Sequence, residues 1–412
     1  MSNFYLQKYA YCQEQIKARP CEGLGIIVVI PCFNEPDLIS TLKSIHACDK
    51  PKCAVEVIVV INAPENADEN VRLQNSSTYD EAIAFSKEVK SNHFLFHILN
   101  VELPIRDAGV GLARKVGMDE AVSRFEKIRN HEGLIVCLDA DSLVDNHYLT
   151  EIEKHFEINK KSVAASIYFE HPLEGKLESK VYEGIVLYEL FLRYYVNALR
   201  YAGHPYAFET IGSSMVVRSN AYQAQGGMNK RKAGEDFYFL QKMIALGKYT
   251  EINATRVIPS PRISNRVPFG TGRAIGDFTN GKEILFYDFR IFTALKKFIE
   301  SVSDLYRIQK METYLSTLPE CVLNFLKKNE FEKVLEEIKT NTSNQENFEK
   351  RFFNWFNGFL VLKYVHYATE HFYNRVSALE ATHDLMLVIN KNEKIKSEKE
   401  ALLYWRDSDK NS

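Results

Sequence analysis

The residues best placed to do chemistry in this chain are carboxylates that follow directly on apolar runs. Asp139 comes straight after Leu134-Ile135-Val136-Cys137-Leu138, and Asp141 stands two positions further on. A carboxylate at the end of such a run lies close to a core, where it is costly unless paired or bound to a cation. Two acids at i and i+2 on a turning chain can converge on one divalent ion, and Mg²⁺ or Mn²⁺ takes carboxylate oxygens together with phosphate oxygens and water. A cation held there neutralises charge that develops on a departing diphosphate. The same residues also suit a plain turn, with Asp141 or Ser142 capping a helix that begins near Asp145.

Other polar groups sit at comparable places. Pro31, Asn34 and Glu35 follow the run Gly25-Ile26-Ile27-Val28-Val29-Ile30, and Asn62 closes a second run from Val55. Gly234-Glu235-Asp236 opens a helical pattern, a position that favours acids through the helix dipole alone. Gly109, Gly111, Ala113, Arg114 and Lys115 put small residues at a helix start, where backbone N–H groups can approach an anion and Arg114 can fork onto phosphate or onto the aspartates. From Pro259 to Gly272, basic residues alternate with turn formers; this segment could fold over a bound diphosphate with Arg262 and Arg266, or serve as a rigid surface loop.

These residues need a scaffold that gathers strand ends. Short β-branched runs at 25–31, 55–63, 93–102, 133–141 and 162–170 alternate with longer amphipathic segments, which is the pattern of a mostly parallel sheet with crossover helices on both faces. In such α/β sheets ligands bind beyond the carboxyl ends of the strands, which is where the polar groups above fall. The second half reads as α+β, with a long aromatic segment at 181–202 ahead of a strand-like Gly212-Ser213-Ser214-Met215-Val216-Val217-Arg218. The aromatics Tyr182, Tyr188, Phe191, Tyr194, Tyr195 and Tyr201 could stack on sugars, although aromatics at helical spacing more commonly form core. Beyond about Lys282 the pattern is helical, and the last dozen residues read as disordered.

Taken together, the segments IPCFNE, Asn62 at its strand end, GVGLARKVGMDEA, LDADS and GEDFYF resemble family 2 glycosyltransferases of the GT-A type in order, spacing and placement. The resemblance covers roughly residues 24–275. It implies a Rossmann-like GT-A domain over 24–280, with a nucleotide-binding half (24–170) and an acceptor half (171–280), between an N-terminal helical lead-in (1–23) and a helical C-terminal region (281–412). It further implies that Pro31, Asn34, Glu35 and Asn62 border the nucleotide, and that Gly111, Arg114, Asp139, Arg262 and Arg266 serve the donor diphosphate. Asp139 and Asp141 hold Mn²⁺ or Mg²⁺ in this reading. Gly212, Ser213, Ser214 and Glu235 line the acceptor pocket, and Asp236 is the base that takes the acceptor hydroxyl proton in an inverting transfer. Lys115 stands where the family has Asn, and no metal-binding His lies in the 259–272 segment. The activity implied is sugar transfer from a nucleotide-diphosphate sugar to an acceptor hydroxyl, of the kind that builds cell-envelope polysaccharide or glycolipid. A retaining transferase of the mannosylglycerate synthase type shares the donor half.

Composition sets the remaining bounds. The 412 residues carry 52 Lys+Arg against 54 Asp+Glu, so no general basic field argues for nucleic acid. Seven cysteines without a CxxC pair favour a reducing, cytoplasmic setting, and no stretch reads as a spanning helix. No GxSxG or P-loop motif supports a hydrolase or NTPase. The rival class is a catalytically silent scaffold whose helical C-terminal region self-associates as a homodimer or docks at a membrane face.

Overall fold

The computed structural model describes residues 3–89, 91–264, 266, 270–389 and 395–411. Two compact units emerge, and they do not follow sequence order: the first holds 1–177, 210–273 and 408–412, the second 178–209 and 274–407.

The first unit is built on one eight-stranded sheet. Its strands are β1 (Leu24–Cys32), β2 (Ala54–Pro64), β3 (Phe94–Leu103), β4 (Leu134–Cys137), β5 (Leu143–Val144), β6 (Ala164–Phe169), β7 (Met215–Arg218) and β8 (Tyr249–Ile258), in the spatial order β3-β2-β1-β4-β7-β6-β8-β5. β3, β2, β1 and β4 run parallel. Their near-continuous Val/Ile/Leu content is what burial on both faces demands, and in β1 every residue except Gly25 is buried. β7 then enters antiparallel between β4 and β6. That reversal places the start of β7 beside the end of β4, with Met215 opposite Cys137. The helices Val110–Lys127 and Glu69–Glu88 pack on β1, β2 and β3. Gly117 lets the first of these approach the sheet, since a Cβ there would strike Val29.

The N-terminal residues are helical only over Phe4–Lys8. The rest runs as a strap along helix Val110–Lys127, fastened by buried acids. Asp119 accepts from the Tyr5 hydroxyl (2.6 Å) and the Tyr11 N–H (2.8 Å), Glu120 accepts from the Gln15 N–H (2.7 Å), and Arg124 pairs with Glu56 on β2.

The second unit is helical. Helix Ser179–Tyr201 belongs to it, and one member of its aromatic stripe is core, the others being half-buried: Tyr194 lies against Phe286 and Phe292 and donates to the Tyr287 carbonyl (2.8 Å), while Phe191 meets Phe286 edge-on. Glu189 is fully buried and held by Arg193 and, in a fork, by Arg406 at 2.7 and 2.8 Å. The chain end departs from the disorder read in the sequence. Glu398–Lys410 is a helix, because Ala401, Leu402 and Trp405 recur at helical spacing and bury one face. No described helix is long and apolar enough to cross a membrane.

Candidate active site

The polar residues beyond β1, β2 and β4 form two linked clusters, each closed by arginine. The first grows from the end of β1. Asn34 adopts the left-handed conformation (φ 50°), which Asn tolerates better than most residues. Its N–H donates to the Asn75 side chain (2.9 Å), Asn75 donates to the Asn62 carbonyl (2.8 Å), and the Asn62 amide donates to the Cys32 carbonyl (2.8 Å). Asn62 therefore ties the ends of β1 and β2 together. This chain of amides fixes the turn that aims Glu35, whose carbonyl also accepts from the Thr78 hydroxyl at 2.8 Å. Glu35 is 1% exposed, and one of its carboxylate oxygens accepts from both Arg262 and Arg266.

The second cluster forms where β4 ends and the antiparallel β7 begins: with Cys137 opposite Met215, Asp139 follows the one strand and Gly212-Ser213-Ser214 lead into the other. Arg114 reaches in from helix Val110–Lys127, donating to Asp139 at 2.8 Å and pairing with Glu235 at the head of helix Glu235–Ala245. Asp236 accepts from the Gly212 N–H (3.0 Å) and the Phe237 N–H (2.7 Å). Gly212 permits this closeness: a Cβ there would lie 2.7 Å from the Arg114 guanidinium and 2.9 Å from the Asp236 carboxylate. Ser213 and Ser214 are buried, and the Ser214 hydroxyl has no partner among the described residues. Asp141 joins the two clusters, 3.0 Å from Arg262 and 3.6 Å from Arg266.

Burial dominates the electrostatics. It pushes the Asp141 carboxyl up to about 6 against the pull of Arg262, and the Glu235 carboxyl up to about 7 against that of Arg114. Asp236 is raised as well, again by desolvation. Burial disfavours the charge on Arg114, but Glu235 and Asp139 override it and hold the guanidinium above its ordinary value. Shifted carboxylates gathered in one place mark a candidate functional site.

Among the described residues no group of three His, Cys, Asp or Glu side chains converges as a ready cation cage. Asp139 and Asp141 each use one carboxylate oxygen on arginine and keep the other without a described bonding partner. Such a pair fits Mg²⁺ or Mn²⁺ only in company with phosphate oxygens and water, which is the usual way these ions are held beside nucleotides.

Some expected residues do other work in this structure. Lys115 turns away, bonding the Tyr5 hydroxyl (3.1 Å) and Asp119 (3.1 Å), so the Asn-to-Lys departure serves the N-terminal strap. At Gly109 and Gly111 the close neighbour is protein backbone: a Cβ on Gly109 would come within 2.8 Å of the Lys232 Cα, and one on Gly111 would strike the Arg231 carbonyl. Of the 259–272 segment, Asn265, Val267, Pro268 and Phe269 lie outside the described residues. Asn75 and Thr78 escaped sequence reading because they come from helix Glu69–Glu88, about forty residues after the turn they hold. The signal in the sequence is their spacing: Asn75, Thr78, Ala82 and Phe85 recur on one face of the helix, the face that is buried.

A family model described as glycosyl transferase family group 2 matches residues 134–291. No curated protein matches the chain. Among solved structures, S. aureus TarS residues 1–349 aligns at 15% identity with a TM-score of 0.37, covering 57% of this chain and 60% of that one. The same protein in complex with UDP-GlcNAc aligns at 15% identity and 0.39, covering 66% of each chain, and its complex with UDP at 12% and 0.37, covering 72% and 76%. The chain thus spans about three fifths of TarS 1–349 in the first of these alignments. The segment that matches the family model begins with β4 and runs through Asp139, Asp141, Gly212, Asp236 and Arg262, so the similarity to glycosyl transferase family group 2 falls on the clustered carboxylates.

Proposed function

We propose that this protein transfers a sugar from a nucleotide-diphosphate sugar to an acceptor hydroxyl with inversion at the anomeric carbon. One observation carries the reading: Arg114 links Asp139 to Glu235, Arg262 links Asp141 to Glu35, and Asp139 and Asp141 stand two residues apart after β4, so acids from three chain segments are gathered at one strand end. In this reading the turn at Asn34 and Glu35 receives the base and ribose, since a buried carboxylate can accept from ribose hydroxyls or a ring N–H. Arg262 and Arg266 exchange their carboxylates for the incoming diphosphate, which offers the same forked geometry with more charge. A divalent cation held by Asp139 and Asp141 with the donor's oxygens would neutralise the leaving diphosphate. Asp236, fixed by two backbone N–H bonds, takes the proton from the acceptor hydroxyl as it attacks from the opposite face. Glu235, Ser213 and Ser214 line the acceptor side, and the product belongs with envelope glycans or glycolipids.

Calorimetric titration with UDP, GDP and their sugar conjugates, with and without Mn²⁺, tests the reading. One nucleotide should bind with Mn²⁺ and lose at least about tenfold in affinity in Asp141→Ala, the loss of a ligand to the cation. If no nucleotide binds wild-type protein even with metal, the proposal falls.

A further inference from the structure

One residue ahead of Gly234-Glu235-Asp236 the chain reads Asn229-Lys230-Arg231-Lys232, three consecutive cations in a protein of net charge −2. All three are exposed, and none is paired with a carboxylate among the described residues. A charge run on a surface ordinarily has mobile side chains. Here each is seated: the Lys230 ammonium over the Tyr11 ring at 4.7 Å, the Arg231 guanidinium over the Tyr238 ring at 3.6 Å, and the Lys232 ammonium on the Ile105 carbonyl at 3.1 Å. The backbone beneath them is fixed too. It lies against Gly109 and Gly111, where any side chain would collide with it, and the Asn229 amide donates to the Glu235 carbonyl at 2.9 Å.

Cations held in place have already lost the rotamer freedom that an ion pair must otherwise take away. Their position next to Glu235 and Asp236 assigns them to the side of the site where the base works, whereas Arg262 and Arg266 stand with Glu35 and Asp141 on the nucleotide side. We propose that Lys230, Arg231 and Lys232 form a preorganised strip for an anionic group, phosphate or carboxylate, borne by the acceptor. The acceptor is then an acidic saccharide or phosphorylated alcohol rather than a neutral sugar. This step rests on the transferase reading for the word acceptor, while the anion site itself can be tested without it.

The probe is inorganic tripolyphosphate, titrated calorimetrically into the full chain at low and at about 0.5 M salt, where exposed charges are screened. Three proteins are compared: wild type, the Lys230→Gln/Arg231→Gln/Lys232→Gln variant, which keeps long polar side chains in place, and Arg262→Ala, which removes an arginine of the nucleotide side. The strip predicts salt-sensitive binding that weakens at least about tenfold in the triple variant, with an unchanged thermal midpoint, and that persists in Arg262→Ala. Binding lost in Arg262→Ala but kept in the triple variant would overturn the proposal. Vesicles of phosphatidylglycerol separate a membrane contact from a soluble ligand: capture by vesicles with no response to tripolyphosphate also overturns it. A failure of nucleotide binding in the earlier titration would leave these outcomes readable.

Discussion

Glu235 and Asp236 are placed where a carboxylate costs most to ionise, and that cost sets a testable pH dependence. A base works only when deprotonated; burial raises Asp236 from its ordinary value and lifts its neighbour Glu235 to about 7. Asp141, which must be charged to hold a cation, is raised to about 6. The acid limb of kcat/KM is therefore expected above the ordinary carboxylate range, with activity lost as the pH falls through it. An acid limb near pH 4 in a pH–rate series would show that these groups do not govern the rate. The stability sign is opposite: a carboxyl whose folded value exceeds its unfolded value of 4.5 favours the fold at low pH and costs it stability as the pH rises toward 7. Asp236→Asn removes the base and keeps the shape, so it should lower turnover by about 10²–10⁴-fold while leaving nucleotide affinity within a factor of about two. A fall in binding that matched the fall in rate would make Asp236 a structural residue instead.

At the scale of elements, helix Val110–Lys127 delivers Arg114 to the site and is itself anchored at its far end. Arg124 and Glu56 are both fully buried, paired with each other, with Glu56 further accepting from the Cys21 N–H at 2.9 Å. Burial alone would raise Glu56, but His97 and Arg124 hold it down at about 2. Arg124→Met leaves a buried carboxylate without its main partner, a change expected to cost about 3–5 kcal/mol in urea unfolding; adding Glu56→Leu should recover much of it. No recovery in the double variant would mean that shape, not charge, is at stake. The same helix shows why parts of the fold were legible and others not. β1, β2, β4, β6 and β7 announce themselves by apolar runs because both faces are covered, while the edge strand β3 keeps an apolar run with several half-exposed positions. β8 was missed: Tyr249–Ile258 alternates buried and half-exposed positions and carries Thr250, Glu251, Asn253 and Arg256 among its apolar residues. The N-terminal strap was read as helical because its polar residues look solvated, whereas their partners, Asp119, Glu120 and Arg124, lie more than a hundred residues away. At the site, the acids at strand ends could be named from spacing alone. Of their arginine partners, Arg114 could be matched to the aspartates, but its pairing with Glu235 and that of Arg262 with Glu35 are contacts that only the folded chain creates.

For the whole molecule, the two compact units can be followed separately in one experiment. Both tryptophans of the chain, Trp355 and Trp405, fall in the helical unit, and the proposed donor residues fall in the other. Intrinsic tryptophan fluorescence thus reports the helical unit, and nucleotide binding reports the sheet. Glu189 is the natural place to perturb the former, being fully buried under Arg193 and the fork from Arg406. Glu189→Gln keeps the volume, deprives two buried guanidinium groups of their shared counter-charge, and should cost the helical unit about 3–5 kcal/mol. The fluorescence midpoint in urea should fall accordingly, while nucleotide affinity measured below that midpoint stays as in wild type. If affinity instead drops in native buffer, where the fluorescence shows the helical unit intact, the donor site depends on that unit's internal packing and the two units act as one cooperative body.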